Sequence, residues 1–253
     1  MLSQLPLVVY SDELQVIKDP EVKERSALQY LIPEEDIELL KEVPSAGART
    51  AKSYRTFMKF IAFKDFGFIH HIFLDSDLLC MNTADRIISL SETADYTAAR
   101  AIPIQELRNE KKKLLPPGSG LEFKHRWFGE KSPKRAYFNS GVSVIGPRLI
   151  GSSFYREIIE YAKKQPFNHD QDCLNHFFKQ NREFKINMLP QWFNVTKPSY
   201  QVFGEEEFNK DQDKIIFHHY TGKKPWEDGW DSDFFGKEKN STFLNRAWHE
   251  VIR

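Results

Sequence analysis

The sequence predicts an α/β fold on a mixed, mostly parallel sheet with helices on both faces. Two apolar runs and the segments around them predict it. Ile69-His70-His71-Ile72-Phe73-Leu74 ends abruptly in Asp75-Ser76-Asp77, and a short apolar run of this kind reads as a strand buried on both faces, the habit of parallel sheets. A second run, Phe138 to Ile145, is stopped by Gly146-Pro147. Around these strands lie segments of helical spacing, notably 51–62 and 154–162.

Taken in order, Leu5 to Tyr10 is a short β-like run, and Pro33-Glu34-Glu35-Asp36 with Ile37, Leu39 and Leu40 is a short helix with proline and acids in its first turn. Ala51, Tyr54, Phe57, Met58, Ile61 and Ala62 mark a helix that carries Arg55 and Lys59 on one face, and Gly67 closes its connection to the central strand. Thr83 to Leu90 reads as helix or turn, and Asp95 to Ala99 as a short strand. Residues 103–136 mix lysine runs with Pro116-Pro117-Gly118-Ser119-Gly120 and show no sustained period, so they form a long connection and a candidate lid. Phe154 to Ala162 is an amphipathic helix. The next helix opens at Asn168-His169-Asp170-Gln171-Asp172 and continues through Phe177 and Phe178. Ile186 to Pro190 and Lys214 to His219 are further strands, and 227–253 is a carboxyl-terminal extension ending in a helix over 241–252. At 253 residues the whole chain, 1–253, fits one domain.

Composition excludes several classes of function. Lys+Arg and Asp+Glu are both 36, so the formal charge is zero and no global field draws nucleic acid. Two cysteines, Cys80 and Cys173, suit a reduced core and a reducing compartment. No apolar run reaches the ~20 residues of a membrane span, and the amino terminus lacks a signal-peptide pattern. A cytoplasmic chain is therefore expected, with the basic stretches Lys111 to Lys113 and Lys131 to Arg135 as candidates for peripheral contact with the inner face of a membrane. Solvated loop is the plainer reading of both.

The chemistry begins at Asp75 and Asp77. If the backbone stays extended through Ser76, alternation points both aspartates to one side. Two carboxylates there repel and lose solvation unless a cation sits between them, and oxygen ligands suit Mg²⁺ or Mn²⁺. A strand end followed by a helix cap is the plainer alternative. Asn139-Ser140-Gly141 is a polar opening for a core strand, which fits either a bulge or an amide and a bare glycine beside a ligand. The acids at 170 and 172 fit a helix dipole, yet Asp170, Gln171, Asp172 and Asn175 are a dense polar set. Far along the chain, His219 ends a strand and runs into Gly222-Lys223-Lys224. A carboxylate pair, a histidine and a Gly-Lys-Lys loop are the parts needed to hold a divalent metal on a diphosphate. Such a metal acts as a Lewis acid on a departing nucleoside diphosphate, and a lysine neutralises the remaining charge. The imidazole moves the preference from Mg²⁺ toward Mn²⁺.

With these motifs in order, the sequence resembles glycosyltransferase family 8, the group of glycogenin and the bacterial lipopolysaccharide galactosyl- and glucosyltransferases. Phe73-Leu74-Asp75-Ser76-Asp77 is similar to its DxD, Phe138-Asn139-Ser140-Gly141 to its FNSG, and Asp170-Gln171-Asp172-Cys173-Leu174-Asn175 to its DQDxLN. His219-Tyr220-Thr221-Gly222 and Lys224-Pro225-Trp226 are similar to its closing HxxG and KPW, so the likeness runs from about Ala51 to Trp226. The resemblance implies a Rossmann-like nucleotide-diphospho-sugar transferase domain of GT-A type. It implies metal-dependent, retaining transfer of a hexose from UDP-glucose or UDP-galactose to a glycan acceptor in cell-surface polysaccharide or lipopolysaccharide synthesis. Carried over residue by residue, Asp75, Asp77 and His219 bind Mn²⁺, with Mg²⁺ as the alternative. Gly222 and Lys224 meet the diphosphate, and Lys59 lies near the donor phosphate and sugar. Asn139, Asp170 and Gln171 line the donor sugar, Ser76 and Ser140 join the substrate contacts, and Asp170 and Gln171 are the catalytic candidates. Double displacement needs a carboxylate near the anomeric carbon, and front-face attack assisted by the leaving phosphate is the other route to retention.

Two departures accompany the likeness. Lys223-Lys224 follows Gly222 without the family's extra residue, so counting back from Lys224 points to His218, whereas the HxxG pattern points to His219. The family's first strand, which grips uracil and ribose, would precede Leu5 to Tyr10, where this sequence offers no residues for it. A shortened enzyme is expected, and a catalytically impaired remnant with an incomplete nucleotide pocket is the competing reading.

Overall fold

The computed structural model describes residues 5–44, 46, 53–101, 137–196 and 212–221. The chain packs as two compact units, one of Met1–His71 with Ile145–Phe184 and one of Ile72–Val144 with Lys185–Arg253.

In the first unit, β1 (Val8–Ser11) pairs in parallel with β2 (Leu28–Leu31), Val8 opposite Leu28 and Ser11 opposite Leu31. Two short helices connect them, α1 (Leu14–Lys18) and α2 (Pro20–Arg25). Asp19 caps α2 by accepting from the amides of Glu21 and Val22, with Pro20 in the first turn. α3 (Glu34–Lys41) starts where Pro33 and the acids predict it, and ends on Lys41, so its charges match the helix dipole at both ends. The sequence reading missed β2, whose four residues include the exposed Leu28 and Leu31 and so show no buried alternation.

The helix expected over 51–62 is a 3₁₀ helix, Ser53–Phe63. Three residues per turn eclipses side chains three apart, and Phe57, Phe60 and Phe63 at that spacing are all buried. Gly67 follows with φ +84, a left-handed turn that favours glycine. α4 (Ser152–Lys163) and α5 (Asp170–Gln180) complete the unit. Phe154 packs edge-on against Phe63 and Phe177 at 5.1 and 5.6 Å between ring centres. Beside this core, the carboxylate of Asp36, 3% exposed, pairs with Lys64, which also donates to Tyr30 Oη at 3.0 Å.

The second unit holds two sheets. In one, β3 (His71–Leu74), β6 (Phe138–Ile145), β5 (Tyr96–Arg100) and β7 (Ile186–Leu189) lie in that order, and β5 runs parallel to β7. In the other, β9 (Phe217–His219) lies between β4 (Leu78–Cys80), antiparallel to it, and β8 (Val195–Thr196), parallel to it. A one-turn helix, Arg86–Ser89, follows β4. β6 is the core strand, buried at every residue except the half-buried Asn139.

The structure departs from two expectations. The central strand is four residues long and not buried on both faces: Phe73 is half-buried, Leu74 is 42% exposed, and Ile69, before it, is 74% exposed. Nor does the backbone stay extended through Ser76. Residues 76–77 form a turn that leads directly into β4, the antiparallel partner of β9. Cys80 and Cys173 are free thiols, the latter buried. Among the described residues no helix is long and apolar enough to cross a membrane. The segments 103–136 and 227–253, with both basic stretches, lie outside the described residues.

Candidate active site

The Asp75-Ser76-Asp77 turn is held from both sides by backbone. The Asp75 amide donates to the Gly141 carbonyl at 2.8 Å, which ties the end of β3 to β6. The Tyr220 amide donates to the Asp77 carbonyl at 3.0 Å, and Leu78 sits opposite His219 across β4 and β9. The turn therefore brings both carboxylates to the end of β9. His219 Nε2 lies 3.5 Å from Asp75 Oδ2 and 3.2 Å from Asp77 Oδ1.

These three residues offer ligand atoms that all lie within 4.8 Å of one another. The His219 side chain is 5% exposed, with Asp77 at 14% and Asp75 at 24%, so the group is sheltered yet open on the aspartate side. Two carboxylate oxygens and one imidazole nitrogen suit a divalent cation of the Mg²⁺ to Mn²⁺ kind. Gly141 gives the group its space. A Cβ there would meet His219 Cε1 at 2.3 Å and Asp75 Oδ2 at 2.7 Å. The bare glycine in Phe138-Asn139-Ser140-Gly141 is thus required by close approach of the group.

His218 points elsewhere. Successive strand residues alternate sides, and His218 is fully buried opposite Leu79, where burial pushes its imidazole down to about 3. Of the two histidines the sequence left in competition, His219 is the one at the carboxylates.

A second polar group lies within the first unit. Lys59, on the 3₁₀ helix, reaches Asp170 Oδ2 at 3.3 Å, at the first turn of α5. Capping does not explain Asp170. The cap of α5 is His169, whose ring accepts from the Asp172 amide at 3.3 Å, while Asn168 holds the Asp172 carboxylate at 2.9 Å. Asp170 is buried, 7% exposed, and Gln171 beside it is half-buried, its carbonyl accepting from Asn175. Arg55, one turn before Lys59, belongs to a different group: it donates to Asp12 Oδ2 at 2.9 Å and to Glu13, and Tyr54 Oη donates to the same Asp12 oxygen.

The sequence profile described as glycosyl transferase family 8 matches residues 9–229. The chain belongs to that family. No curated protein matches it significantly in sequence. In structure it is similar to the glycosyltransferase GlyE of Streptococcus pneumoniae TIGR4, 17% identical over 99% of this chain and 61% of that one, with a TM-score of 0.51. It is similar to an active-site mutant of LgtC at 15% identity over 90% and 75% of the two chains, TM-score 0.50. LgtC crystallised with donor and acceptor sugar analogues, described as a galactosyltransferase, gives 17% identity over 81% and 70%, TM-score 0.48. The likenesses at 0.50 and above identify the fold as the α/β fold of GT-A type.

In this family 8 chain the other expected site residues fall as follows. Ser76 is exposed in the turn, and Asn139 is half-buried on β6. Ser140 is buried at 1% exposure. Gly222 and Lys224 lie outside the described residues. One residue of the site escaped the sequence reading. Asn194, fully buried, accepts at Oδ1 from His219 Nδ1 at 2.9 Å. Its signal was a single asparagine set between the apolar Phe193 and Val195, in a segment with no matching motif.

Proposed function

We propose that the protein is a metal-dependent, retaining hexosyltransferase that moves glucose or galactose from a UDP-sugar to a glycan acceptor in cell-surface polysaccharide or lipopolysaccharide synthesis. The observation that carries the reading is the convergence of Asp75, Asp77 and His219 Nε2 within 4.8 Å around the space left by Gly141. On this reading Asp75, Asp77 and His219 hold Mn²⁺, with Mg²⁺ as the substitute. When bound, the cation supplies Lewis-acid stabilisation to the oxygens of the departing diphosphate.

The chain's own residues do the rest. Asp75 and Asp77 fix the cation's position from a turn pinned at both ends. Lys59 is assigned to the donor phosphate, and the Asp170 carboxylate, 3.3 Å from it, offers acceptor oxygens to sugar hydroxyls. Gln171 adds an amide that can both accept and donate, and Asn139 an amide NH₂ that donates. Asp170 and Gln171 are the catalytic candidates, Ser76 is a further donor contact, and Gly222 with Lys224 is assigned to the diphosphate. We further propose one glycosyltransferase domain acting in the cytoplasm, in peripheral contact with the inner face of the membrane.

The test is product release. Purified protein with Mn²⁺ and UDP-glucose or UDP-galactose releases UDP, slowly by hydrolysis without acceptor, and Asp75→Ala does not. No release from either donor, with Asp75→Ala indistinguishable from the parent, would remove the enzymatic reading in favour of an inactive remnant.

A further inference from the structure

We propose that Asn194 is a positioning residue: it locks His219 as the Nδ1–H tautomer and so aims the Nε2 lone pair at the cation shared with Asp75 and Asp77. The inference rests on the metal-site reading above and deepens it.

Amide orientations and imidazole tautomers are ordinarily ambiguous, but here a backbone N–H fixes them. The Gly141 amide lies 2.8 Å from Asn139 Oδ1, and a backbone N–H can only donate, so that atom of Asn139 is the oxygen. The same oxygen receives Asn194 Nδ2 at 2.6 Å. Reversing Asn139 would set an NH₂ against the Gly141 N–H, and reversing Asn194 alone would set two carbonyl oxygens face to face. Asn194 therefore presents Oδ1, an acceptor only, to His219 Nδ1 at 2.9 Å. The ring must donate there, and in its neutral form Nε2 is left with the lone pair.

Asn194 is itself held. It is fully buried, its amide donates to the Gln191 carbonyl at 2.9 Å, and its own carbonyl accepts from Gln191 Nε2 at 2.7 Å. It directly precedes β8, whose Val195 and Thr196 pair in parallel with His218 and His219 of β9. A histidine ligand held by a hydrogen bond at its other ring nitrogen binds metal more tightly, and removing such a partner weakens affinity by about 10- to 100-fold.

The polarity has a consequence for Asn139. Its Oδ1 is occupied by two donors, so only its NH₂ is available to a donor sugar, and it selects a hydroxyl or phosphate oxygen that accepts.

Two measurements test the proposal. In the metal-free parent, at a pH above the ordinary histidine range, ¹⁵N NMR of the imidazole nitrogens should show His219 protonated at Nδ1. Mn²⁺ binding followed by the EPR signal of the free ion should weaken about 10- to 100-fold in Asn194→Ala. Asn194→Asp, which keeps an acceptor for Nδ1–H and loses the donor to Asn139, should fall between the two. A neutral His219 carrying its proton on Nε2, or parental Mn²⁺ affinity in a folded Asn194→Ala, would overturn the proposal. The NMR arm needs no variant, so it decides even where a substitution prevents folding. A parent that binds no Mn²⁺ overturns the metal-site reading itself, and the NMR result then states separately whether Asn194 sets the ring.

Discussion

A Cβ atom on Gly141 would lie 2.3 Å from Cε1 of His219. Gly141 has no left-handed backbone of the kind found at Gly67 and Gly151, so its glycine serves space and not conformation. Gly141→Ala should push the imidazole and the Asp75 carboxylate apart. We expect Mn²⁺ affinity to fall by ~10-fold or more, by analogy with other losses of ligand orientation, and stability by about 1–3 kcal/mol from overpacking. Mn²⁺ titration and thermal unfolding of the same preparation check both.

Asp75 and Asp77 give a prediction about stability that needs no substrate. A ligand that binds only the folded chain stabilises it by about 2.7 kcal/mol at a hundred times its dissociation constant. The parent's melting temperature should therefore rise with Mn²⁺. Asp77→Ala should show no such rise. A parental Mn²⁺ response in Asp77→Ala would exclude that carboxylate as a ligand.

His218 makes the fold acid-sensitive. Its imidazole is pushed by burial from 6.5 down to about 3, so between those values the unfolded chain binds a proton that the folded chain refuses. Stability then falls as pH falls from 6.5 toward 3, by up to about 1.4 kcal/mol per pH unit, and above 6.5 the effect vanishes because both states are neutral. His218→Gln should flatten that part of the pH profile in urea unfolding, whatever it does to stability at neutral pH.

In the first unit, the Asp36–Lys64 pair is buried at the carboxylate end, 5% exposed, and less so at the ammonium, 24%. Breaking such a pair from one side leaves an uncompensated charge, at a cost of about 3–5 kcal/mol for full burial. Lys64→Met leaves the buried Asp36 carboxylate without its cation and should cost on that order, and Lys64→Met with Asp36→Leu should recover most of the loss. Chemical unfolding of the single and double variants measures it.

The sequence was legible where residue type and local chemistry point the same way. The acids ending an apolar run singled out Asp75 and Asp77 and the HxxG pattern His219, three side chains that do come together, and proline with acids marked the start of α3. It was less legible where tertiary pairing decides. β4 is three residues of ordinary composition that become a strand only because β9 lies beside them. The backbone turns at Ser76 and does not stay extended, so the expected alternation of the two aspartates fails although their side chains converge. The helix over 51–62 was legible as a helix, but its three-residue period is carried by Phe57, Phe60 and Phe63, a spacing also found in α-helices. Asn194 was invisible because its role depends on a partner 25 residues away.

The most direct measurement is anomalous diffraction at the manganese edge from crystals soaked in Mn²⁺. The account predicts a single strong peak bonded to Asp75, Asp77 and Nε2 of His219. A peak bonded to His218, or no peak between these three side chains at saturating Mn²⁺, would contradict it.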